Sequence, residues 1–272
     1  MLLAAGCGIA LTPDLNVDGP IVVGVSESQI SFVHLDEAGD VSGVFVDMVR
    51  DLGLYLNRET EVKLLAENGL VGAVGGHTVD LAFVLLPSPD MEERPGVVFS
   101  KPFAWKSLAF LTDAESELDG LEDLNAEGRT VAVIANHRAN SFARTSLPQA
   151  AVKVLNSETE AVSLLLAGQA DGFIHDSLRI FELADEQRGR FRAVLEPFRR
   201  VGVSLAVSAD NEALLDAVND FLHDYREIGG FERLADRYFA EAREAFAVQG
   251  ADFLFDPPER VMIEDSEPGL LD

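Results

Sequence analysis

The chain has 272 residues, enough for one large domain or two lobes, and 47% of them are hydrophobic. It carries 47 acidic and 21 basic residues, so its formal net charge at pH 7 is −26. A field of that sign repels phosphate backbones and anionic lipid, which argues against binding to nucleic acid or to a bare membrane surface. The single cysteine, Cys7, excludes an intrachain disulfide and a cysteine-based metal site.

The N-terminal residues 1–7 form an apolar run of small residues that ends in Gly6 and Cys7. This ending resembles that of a bacterial lipoprotein signal, in which the cysteine becomes the lipidated first residue of the mature protein. We therefore predict a truncated lipoprotein signal and linker over residues 1–19, with lipidation at Cys7 as the contact with the membrane. The alternative is an incidental cysteine at a frayed N-terminus.

The first half of the chain alternates predicted strands and helices. Residues 21–25 form a continuous β-branched run, which is typical of a strand buried on both faces. After a short predicted hairpin, residues 46–56 carry apolar side chains at helical spacing, and further strands are predicted at residues 62–65 and 81–86. This alternation predicts a mainly parallel sheet that is covered by helices on both faces.

A second alternation follows an apolar strand at residues 105–111, which leaves the first half. It begins at residue 130 and ends with a strand over residues 201–207, which returns. Helices are then predicted over residues 212–225 and 231–246. The sequence therefore predicts an α/β protein of two lobes, each a mainly parallel sheet flanked by helices, joined by two crossing strands.

The positions of the crossing strands set the predicted domain boundaries. The first lobe is discontinuous and takes residues 20–107 and 202–247, and the second lobe takes residues 108–201. Residues 248–272, which contain two adjacent prolines and many acids, are predicted to form a C-terminal tail. Such a chain is expected to hold a ligand in the cleft between its lobes.

The stretch 170–183 places His175 and Asp176 where a buried strand ends and a helix begins. One interpretation is that the Asp176 carboxylate caps the helix. The other is that it faces a cleft and receives the cationic group of a ligand, because α/β sheets bind ligands at the carboxyl ends of their strands. The spacing alone leaves both open.

Several short motifs occur in a fixed order between residues 20 and 240. They are Val22-Val23-Gly24-Val25-Ser26, Gly43-Val44-Phe45-Val46-Asp47-Met48, Val79-Asp80-Leu81-Ala82, Glu93-Arg94 with Phe99-Ser100-Lys101-Pro102-Phe103, Gly128-Arg129-Thr130-Val131-Ala132-Val133, Gln169-Ala170-Asp171-Gly172-Phe173-Ile174-His175-Asp176, and Arg237-Tyr238-Phe239. As an ordered set they resemble the extracellular solute-binding proteins of bacterial ABC importers, family 3, the group that carries polar amino acids.

The resemblance implies the type II periplasmic-binding-protein fold and a binding protein, not an enzyme. It implies a periplasmic or other extracytoplasmic monomer that closes its cleft on a small zwitterion, an amino acid or a derivative, and docks on an ABC permease. It implies no cofactor. Two alternatives remain open: a sensory or orphan module of the same fold whose partner is a receptor, and a dehydratase-like enzyme with Glu67 or His137 as the acid.

By this resemblance Arg94 clamps the ligand's carboxylate and Asp176 receives its ammonium group. The alternative for Arg94 is a surface arginine paired with Glu92 or Glu93. The other residues predicted to line the cleft are Ser26, Gln29, Glu67, Leu85, His137 and Arg138.

Two departures from the family pattern bear on the ligand. Gln29 and Glu67 stand where the family places aromatic rings, so a polar or charged ligand side chain is expected. The family's Gly-Thr-Thr turn, whose backbone amides cradle the carboxylate, is replaced by Asn136, His137 and Arg138. These side chains either fill that spot, or Arg138 replaces the amides as the anion partner.

The histidines predict neither a metal site nor an acid–base pair. The five histidines are scattered along the sequence, with no pair at metal-ligand spacing. His175 and Asp176 are neighbours at the end of a strand, so their side chains are expected to point apart.

Overall fold

The structure is a computed structural model that describes residues 15, 19–26, 29, 31–36, 38–86 and 95–257. The lipidation predicted at Cys7 and the carboxylate clamp predicted at Arg94 fall outside the described residues, so both stay predictions. Within the described part of the chain, none of the helices combines the length and the apolar character of a membrane span.

The helices and strands form two groups, which we call the first half and the second half. The N-terminal elements of the first half are β1 (Ile21–Val25), β2 (His34–Leu35), β3 (Val41–Ser42), α1 (Val44–Leu56), β4 (Thr60–Leu64), a 3-10 turn (Glu67–Gly69), α2 (Leu70–Gly75), β5 (Leu81–Leu86) and β6 (Val97–Phe99). Its C-terminal elements are α7 (Glu212–Glu227), α8 (Gly230–Tyr238) and α9 (Ala240–Val248).

The second half lies between two long crossing strands. These are β7 (Ala104–Asp113), which leaves the first half, and β11 (Phe191–Ser208), which returns to it. The elements between them are α3 (Leu121–Leu124), β8 (Thr130–Ile134), α4 (Arg138–Ser146), β9 (Ala151–Leu155), α5 (Glu158–Leu166), β10 (Gly172–Asp176) and α6 (Ser177–Glu186).

One sheet runs through both halves in the order β4-β1-β5-β11-β7-β10-β8-β9, and β6 also pairs with β11. β1 is parallel to β4 and β5, and β8 is parallel to β9 and β10. The crossing strands are antiparallel to each other; β11 also pairs with β5, and β7 with β10. The predicted α/β fold, two mainly parallel sets joined by two crossing strands, is confirmed.

Helix α1 begins at Val44, two residues before its predicted start. The residue before it, Gly43, has a φ of 118°, and a Cβ atom there would lie 2.4 Å from the carbonyl oxygen of Phe32. Only glycine fits so close to the preceding loop. The helix ends at Asn57, which adopts the left-handed conformation with a φ of 51°.

Two regions of the core, one around Phe83 in the first half and one between the sheet and α4 in the second half, differ in composition. In the first half the ring of Phe45 stacks on Phe83 at 4.1 Å, and Phe83 meets Phe103 edge-on at 6.0 Å. Phe103 in turn stacks on Phe231 of α8 at 5.8 Å. The buried residues between the sheet and α4 in the second half are mostly aliphatic, and they include Leu108, Phe110, Val131, Val133, Ala139, Ala143 and Ile174.

The C-terminal region departs from the prediction in two ways. The single helix predicted over residues 231–246 is two helices, because Phe239 between them has a φ of −137° and is not helical. The predicted tail begins as a packed segment, since Phe253 and Phe255 are 4% and 5% exposed. Phe253 packs edge-on against Phe246 at 5.3 Å, so apolar rings bury this part of the chain.

The crossing strands are irregular close to the predicted lobe boundary. The pairing between β7 and β11 shifts register between Val194 and Phe198 and again between Phe198 and Val201. Arg199, within that interval, has a φ of 52°, which is uncommon for a residue other than glycine. The ladder that joins the halves is therefore least regular around residues 194–201.

Candidate functional site

A cavity of about 400 Å³ opens between the two halves. One wall comes from the end of β5 and the segments that follow β1 and β4. The other comes from the end of β10 and the segments that follow β8, β9 and β10, and Lys106 of the crossing strand β7 also lines the cavity. The carboxyl ends of both parallel sets therefore meet at the cavity, and this is the edge at which α/β sheets bind ligands. The first half contributes Gln29, Ser31, Phe32, Glu67 and Leu85.

Six of the residues predicted to bind a ligand line this cavity. They are Gln29, Glu67, Leu85, His137, Arg138 and Asp176. Ser26 is instead 1% exposed behind this wall, and its carbonyl oxygen accepts the backbone N–H of Gln29 at 3.0 Å. The strand ends that position these side chains explain why the sequence pattern found most of them.

Asp176 is the last residue of β10 and precedes α6, as predicted. Its carboxylate makes no capping hydrogen bond with that helix, so the capping interpretation is wrong. Instead, its Oδ1 accepts a hydrogen bond from Arg138 Nε at 2.9 Å and lies 3.3 Å from His137 Nε2. Its Oδ2 forms an ion pair with Lys106 Nζ.

Asp176 is ionised in this setting. Burial alone would raise the pKa of its carboxyl group, but the charge of Lys106, the hydrogen bond from His137 and the charge of Arg138 outweigh it. Together they hold the pKa of Asp176 well below its usual range. That Asp176 receives a ligand's ammonium group stays a prediction, because the structure shows this carboxylate already surrounded by donors.

Two histidines, 38 positions apart in the sequence, stack against each other on the second wall. The rings of His137 and His175 are 3.9 Å apart at an angle of 15°. His137 Nδ1 accepts the backbone N–H of Ala139 at 3.2 Å, so its Nε2 carries the proton that faces Asp176. Burial and then the neighbouring His137 lower the pKa of His175 to about 3, which keeps that ring neutral. The fold therefore brings together two histidines that the sequence places far apart.

His137, His175 and Asp176 bring possible metal-ligand atoms within 4.8 Å of one another. This donor set does not fit a metal ion, because His137 uses both ring nitrogens and the carboxylate of Asp176 is already paired with two cations. We therefore derive no metal chemistry from it.

Arg179, in the first turn of α6, organises a second charged network. Its Nε donates to Glu158 at 2.9 Å, and its Nη1 donates to Glu182 at 3.1 Å and Glu186 at 2.9 Å. Burial lowers the pKa of Arg179, but these contacts raise it above its ordinary value. Glu182 also accepts a hydrogen bond from Ser31 Oγ at 3.1 Å, which links the second half to the first.

Polar atoms on the cavity wall lack partners. Gln29 Oε1, Arg138 Nη2 and His175 Nδ1 are buried and have no hydrogen-bond partner among the described residues. Arg138 Nη2 lies 2.8 Å from Asp176 Oδ1, which is ion-pair distance, but outside hydrogen-bond geometry. Their residues line the cavity, but the three atoms are themselves buried and do not face it in this arrangement.

Sequence reasoning missed Lys106, Glu158 and Arg179 and set His175 aside. Lys106 is one of four lysines in the chain and interrupts an apolar crossing strand, which was a usable signal. Glu158 and Arg179 lie in the first turns of α5 and α6. Those helices follow β9 and β10, so the carboxyl-edge rule that selected Asp176 applies to them as well.

A family model described as bacterial extracellular solute-binding proteins, family 3, matches residues 21–241. Among curated proteins, the L-cystine-binding protein TcyJ of Escherichia coli (strain K12) is 22% identical over 223 residues, which cover 81% of this chain and 83% of that protein.

Solved structures share the fold. The ancestral cationic amino acid solute-binding protein AncCDT-1 superimposes with a TM-score of 0.69 and 23% identity, covering 81% of this chain and 96% of that one. A second structure of it is described as a precursor of cyclohexadienyl dehydratase. The L-cystine solute receptor of Neisseria gonorrhoeae, unliganded and open, gives a TM-score of 0.68 with 18% identity, covering 83% of this chain and 94% of that one.

These identities to solved structures establish the fold alone, whereas the family model covers most of the chain from β1 to the start of α9. The ordered motifs quoted from the sequence lie within the same span. The chain therefore belongs to family 3 of the bacterial extracellular solute-binding proteins.

Proposed function

We propose that the protein captures a small polar solute, an amino acid or a derivative of one, and delivers it to an ABC permease. One observation carries this proposal. The cavity between the halves has a volume of about 400 Å³, sits at the carboxyl ends of both strand sets and is lined by charges of both signs. Small-molecule sites typically have volumes of about 300–1,000 Å³, so a single amino acid fits.

The relatives suggest which ligands to try first. TcyJ is named for L-cystine, and AncCDT-1 for cationic amino acids. Both ligand types have polar or charged side chains, as we expect from Gln29 and Glu67 at the positions where the family has aromatic rings. We therefore propose a zwitterion that carries a polar or charged side chain.

Ligand capture requires the halves to move together. We propose lobes over residues 20–107 with 202–247 and over residues 108–201, which close by bending at the crossing strands. The irregular pairing between β7 and β11 supports a hinge there. The hydrogen bond from Ser31 to Glu182 is the type of contact that closure would tighten.

We further propose that the protein binds its ligand without transforming it. A dehydratase would need an acid such as His137 free to exchange a proton with the substrate. Both nitrogens of that ring are engaged, one by the backbone of Ala139 and the other by Asp176. The neutral, buried His175 beside it is a poor proton donor for the same task.

A thermal-shift screen against the 20 amino acids, L-cystine, amines and small carboxylates tests the function. A ligand present at about 100 times its Kd adds about 2.7 kcal/mol to the free energy of unfolding, which gives a measurable rise in Tm. Leu85→Trp fills the cavity without changing its charges and should abolish the shift. Leu166→Trp, at a position 43% exposed on α5, is the matched control and should preserve it.

Failure of every compound to raise the Tm, or an equal shift in wild type and Leu85→Trp, would show that this cavity is not the binding site. Proton NMR spectra of the protein with its best ligand test the absence of catalysis. A new product signal that grows with time would favour the enzyme alternative.

A further inference from the structure

We propose that Lys106 and Arg138, and not Asp176, bind the charged group by which the protein recognises its ligand, and that this group is a carboxylate. The inference rests on the proposed function, since it names the ligand group that the same cavity selects. It reverses the sequence-based prediction, in which Asp176 takes the ammonium group. Asp176 becomes a positioning residue, which holds the two cations side by side.

The charges at the end of β10 favour an anion. Lys106 and Arg138 bring two positive charges to one negative carboxylate, so the cluster carries a net charge of about +1. His175 beside it is neutral and adds no charge to this cluster. Within this cluster an ammonium group would meet two positive charges and one negative charge.

Most of the hydrogen-bond acceptor positions of the Asp176 carboxylate are also occupied. A carboxylate has about four acceptor positions. Arg138 Nε, His137 Nε2 and Lys106 Nζ already approach its two oxygens. An ammonium group would find about one acceptor position left on this carboxylate, whereas a ligand carboxylate needs none.

Lys106 and Arg138 also have N–H groups that are available to a ligand. Arg138 lines the cavity with a side chain that is 17% exposed, and its Nη1 donates to the carbonyl oxygen of Arg199 at 2.9 Å. The Lys106 ammonium has three N–H groups, and besides its contact with Asp176 it lies over the ring of Phe32 at 5.2 Å. These donors can meet a ligand carboxylate between them.

The opposite wall suits the other end of a zwitterion. Gln29 Nε2 donates to Glu67 Oε1 at 3.4 Å, which turns the amide so that Gln29 Oε1 is left buried without a partner among the described residues. The negative charge of Glu67, which lines the cavity, favours an ammonium group on this side. The ligand therefore lies with its carboxylate toward the second half and its ammonium toward the first.

Two sets of three compounds test whether the protein recognises its ligand by a carboxylate or by an ammonium group. One set is L-cystine, 3,3′-dithiodipropionate, which lacks the ammonium groups, and cystamine, which lacks the carboxylates. The other set is L-lysine, 6-aminohexanoate, which lacks the α-ammonium group, and cadaverine, which lacks the carboxylate. Affinities for wild-type protein are measured by isothermal titration calorimetry.

We expect at least one of the two amino acids to bind. Its analogue without the α-ammonium group should keep its affinity within about tenfold, and its analogue without a carboxylate should lose at least about 100-fold. If an amine analogue binds as well as its parent while the acid analogue fails, the inference is wrong and the proposed function stands. If neither set binds but another amino acid does, the inference is again overturned and the proposed function survives.

Variants give opposite predictions for the two orientations. Asp176→Asn should change the affinity for the acid analogue, since the two cations lose the carboxylate that positions them, but it should keep the preference for that analogue over the amine analogue, because the cluster becomes more positive. If Asp176 were the ammonium receptor, the parent amino acid would lose at least about 100-fold in affinity. Lys106→Gln and Arg138→Gln should each weaken binding of the acid analogue at least about tenfold. Lys101→Gln, on the surface away from the cavity, is the matched control and should have no effect.

A single substitution in this cluster leaves a buried charge without its partner and can prevent folding. A double variant that removes one positive and one negative charge avoids this problem. Lys106→Gln combined with Asp176→Asn leaves the net charge of the cluster unchanged. It should still prefer the acid analogue over the amine analogue, with weaker affinity than wild type. A preference for the amine in this variant or in Asp176→Asn would contradict the inference, since a purely structural role for Asp176 does not change which analogue is preferred.

Discussion

The two halves of the molecule have similar secondary structure, but they differ in ring packing and in the charge that they place on the cavity wall. The first half is held by contacting aromatic rings, such as Phe45 on Phe83, and among its described residues Glu67 is the ionisable side chain on the cavity wall, besides Lys106 on the crossing strand β7. The second half has a mostly aliphatic core between its sheet and α4, while its described wall carries Arg138, Asp176 and other charged groups. This aromatic packing thus lies in the first half, and most of the charge at the cavity lies in the second half.

This difference shows that the charges that select a ligand can lie mostly on one wall of the cavity. The fixed charges of the second wall compensate one another, since Asp176 and Arg179 each have several partners at close range. Partners are needed because an unpaired charge away from water is costly. The following variants test this division, from the largest expected effect to the smallest.

Phe83→Ala should destabilise the protein most, by about 3–5 kcal/mol, because it empties a fully buried ring position between two aromatic neighbours. The free energy of unfolding, measured with urea, checks this value. The sharper comparison uses Phe83→Leu and Phe110→Leu, both at buried positions. Leucine loses ring contacts only at Phe83, so equal costs at the two positions would contradict the distinction between the cores.

Arg179→Gln should lower the free energy of unfolding by about 1.5–3 kcal/mol, since it removes charged hydrogen bonds to three carboxylates from a side chain that is 15% exposed. Arg243→Gln is the matched control. That arginine pairs with Asp236 at the surface and is 43% exposed, so its loss should cost less than about 1 kcal/mol. Equal effects would show that the network of the second wall is not structural.

His175 should make stability depend on pH in mildly acid solution. Its pKa is about 3 in the folded protein and about 6.5 when unfolded, so the unfolded chain binds one more proton between these values. Its contribution to stability is complete above pH 6.5 and is lost as the pH falls toward 3, with a loss of about 1 kcal/mol between pH 7.5 and pH 6.

The variant His175→Asn should flatten this dependence of the unfolding free energy on pH. The exposed His77 provides the matched control, and His77→Asn should leave the dependence as in wild type. Asp176 does not interfere, because its depressed pKa affects stability only below about pH 4. An unchanged pH dependence in His175→Asn would contradict the burial of a neutral ring on this wall.

Local pattern was sufficient for much of the fold. Runs of β-branched residues at β1 and helical spacing in α1 and α7 reflect constraints within a few residues of each other, so they can be read without knowing the partners. The break at Phe239 and the burial of Phe253 and Phe255 could not be read in that way. Both depend on rings from separate helices and segments that meet only after folding.

The sequence by itself determined the α/β alternation, the family and the place of Asp176 at the end of a strand, because each is encoded in the order of neighbouring residues. Only the tertiary structure decided what surrounds that carboxylate. Lys106 and Arg138 come from β7 and α4, and His137 stacks on His175 across the wall. Electrostatic energy depends on distance in space, and parallel strands with crossing connections bring together charges that the sequence keeps far apart.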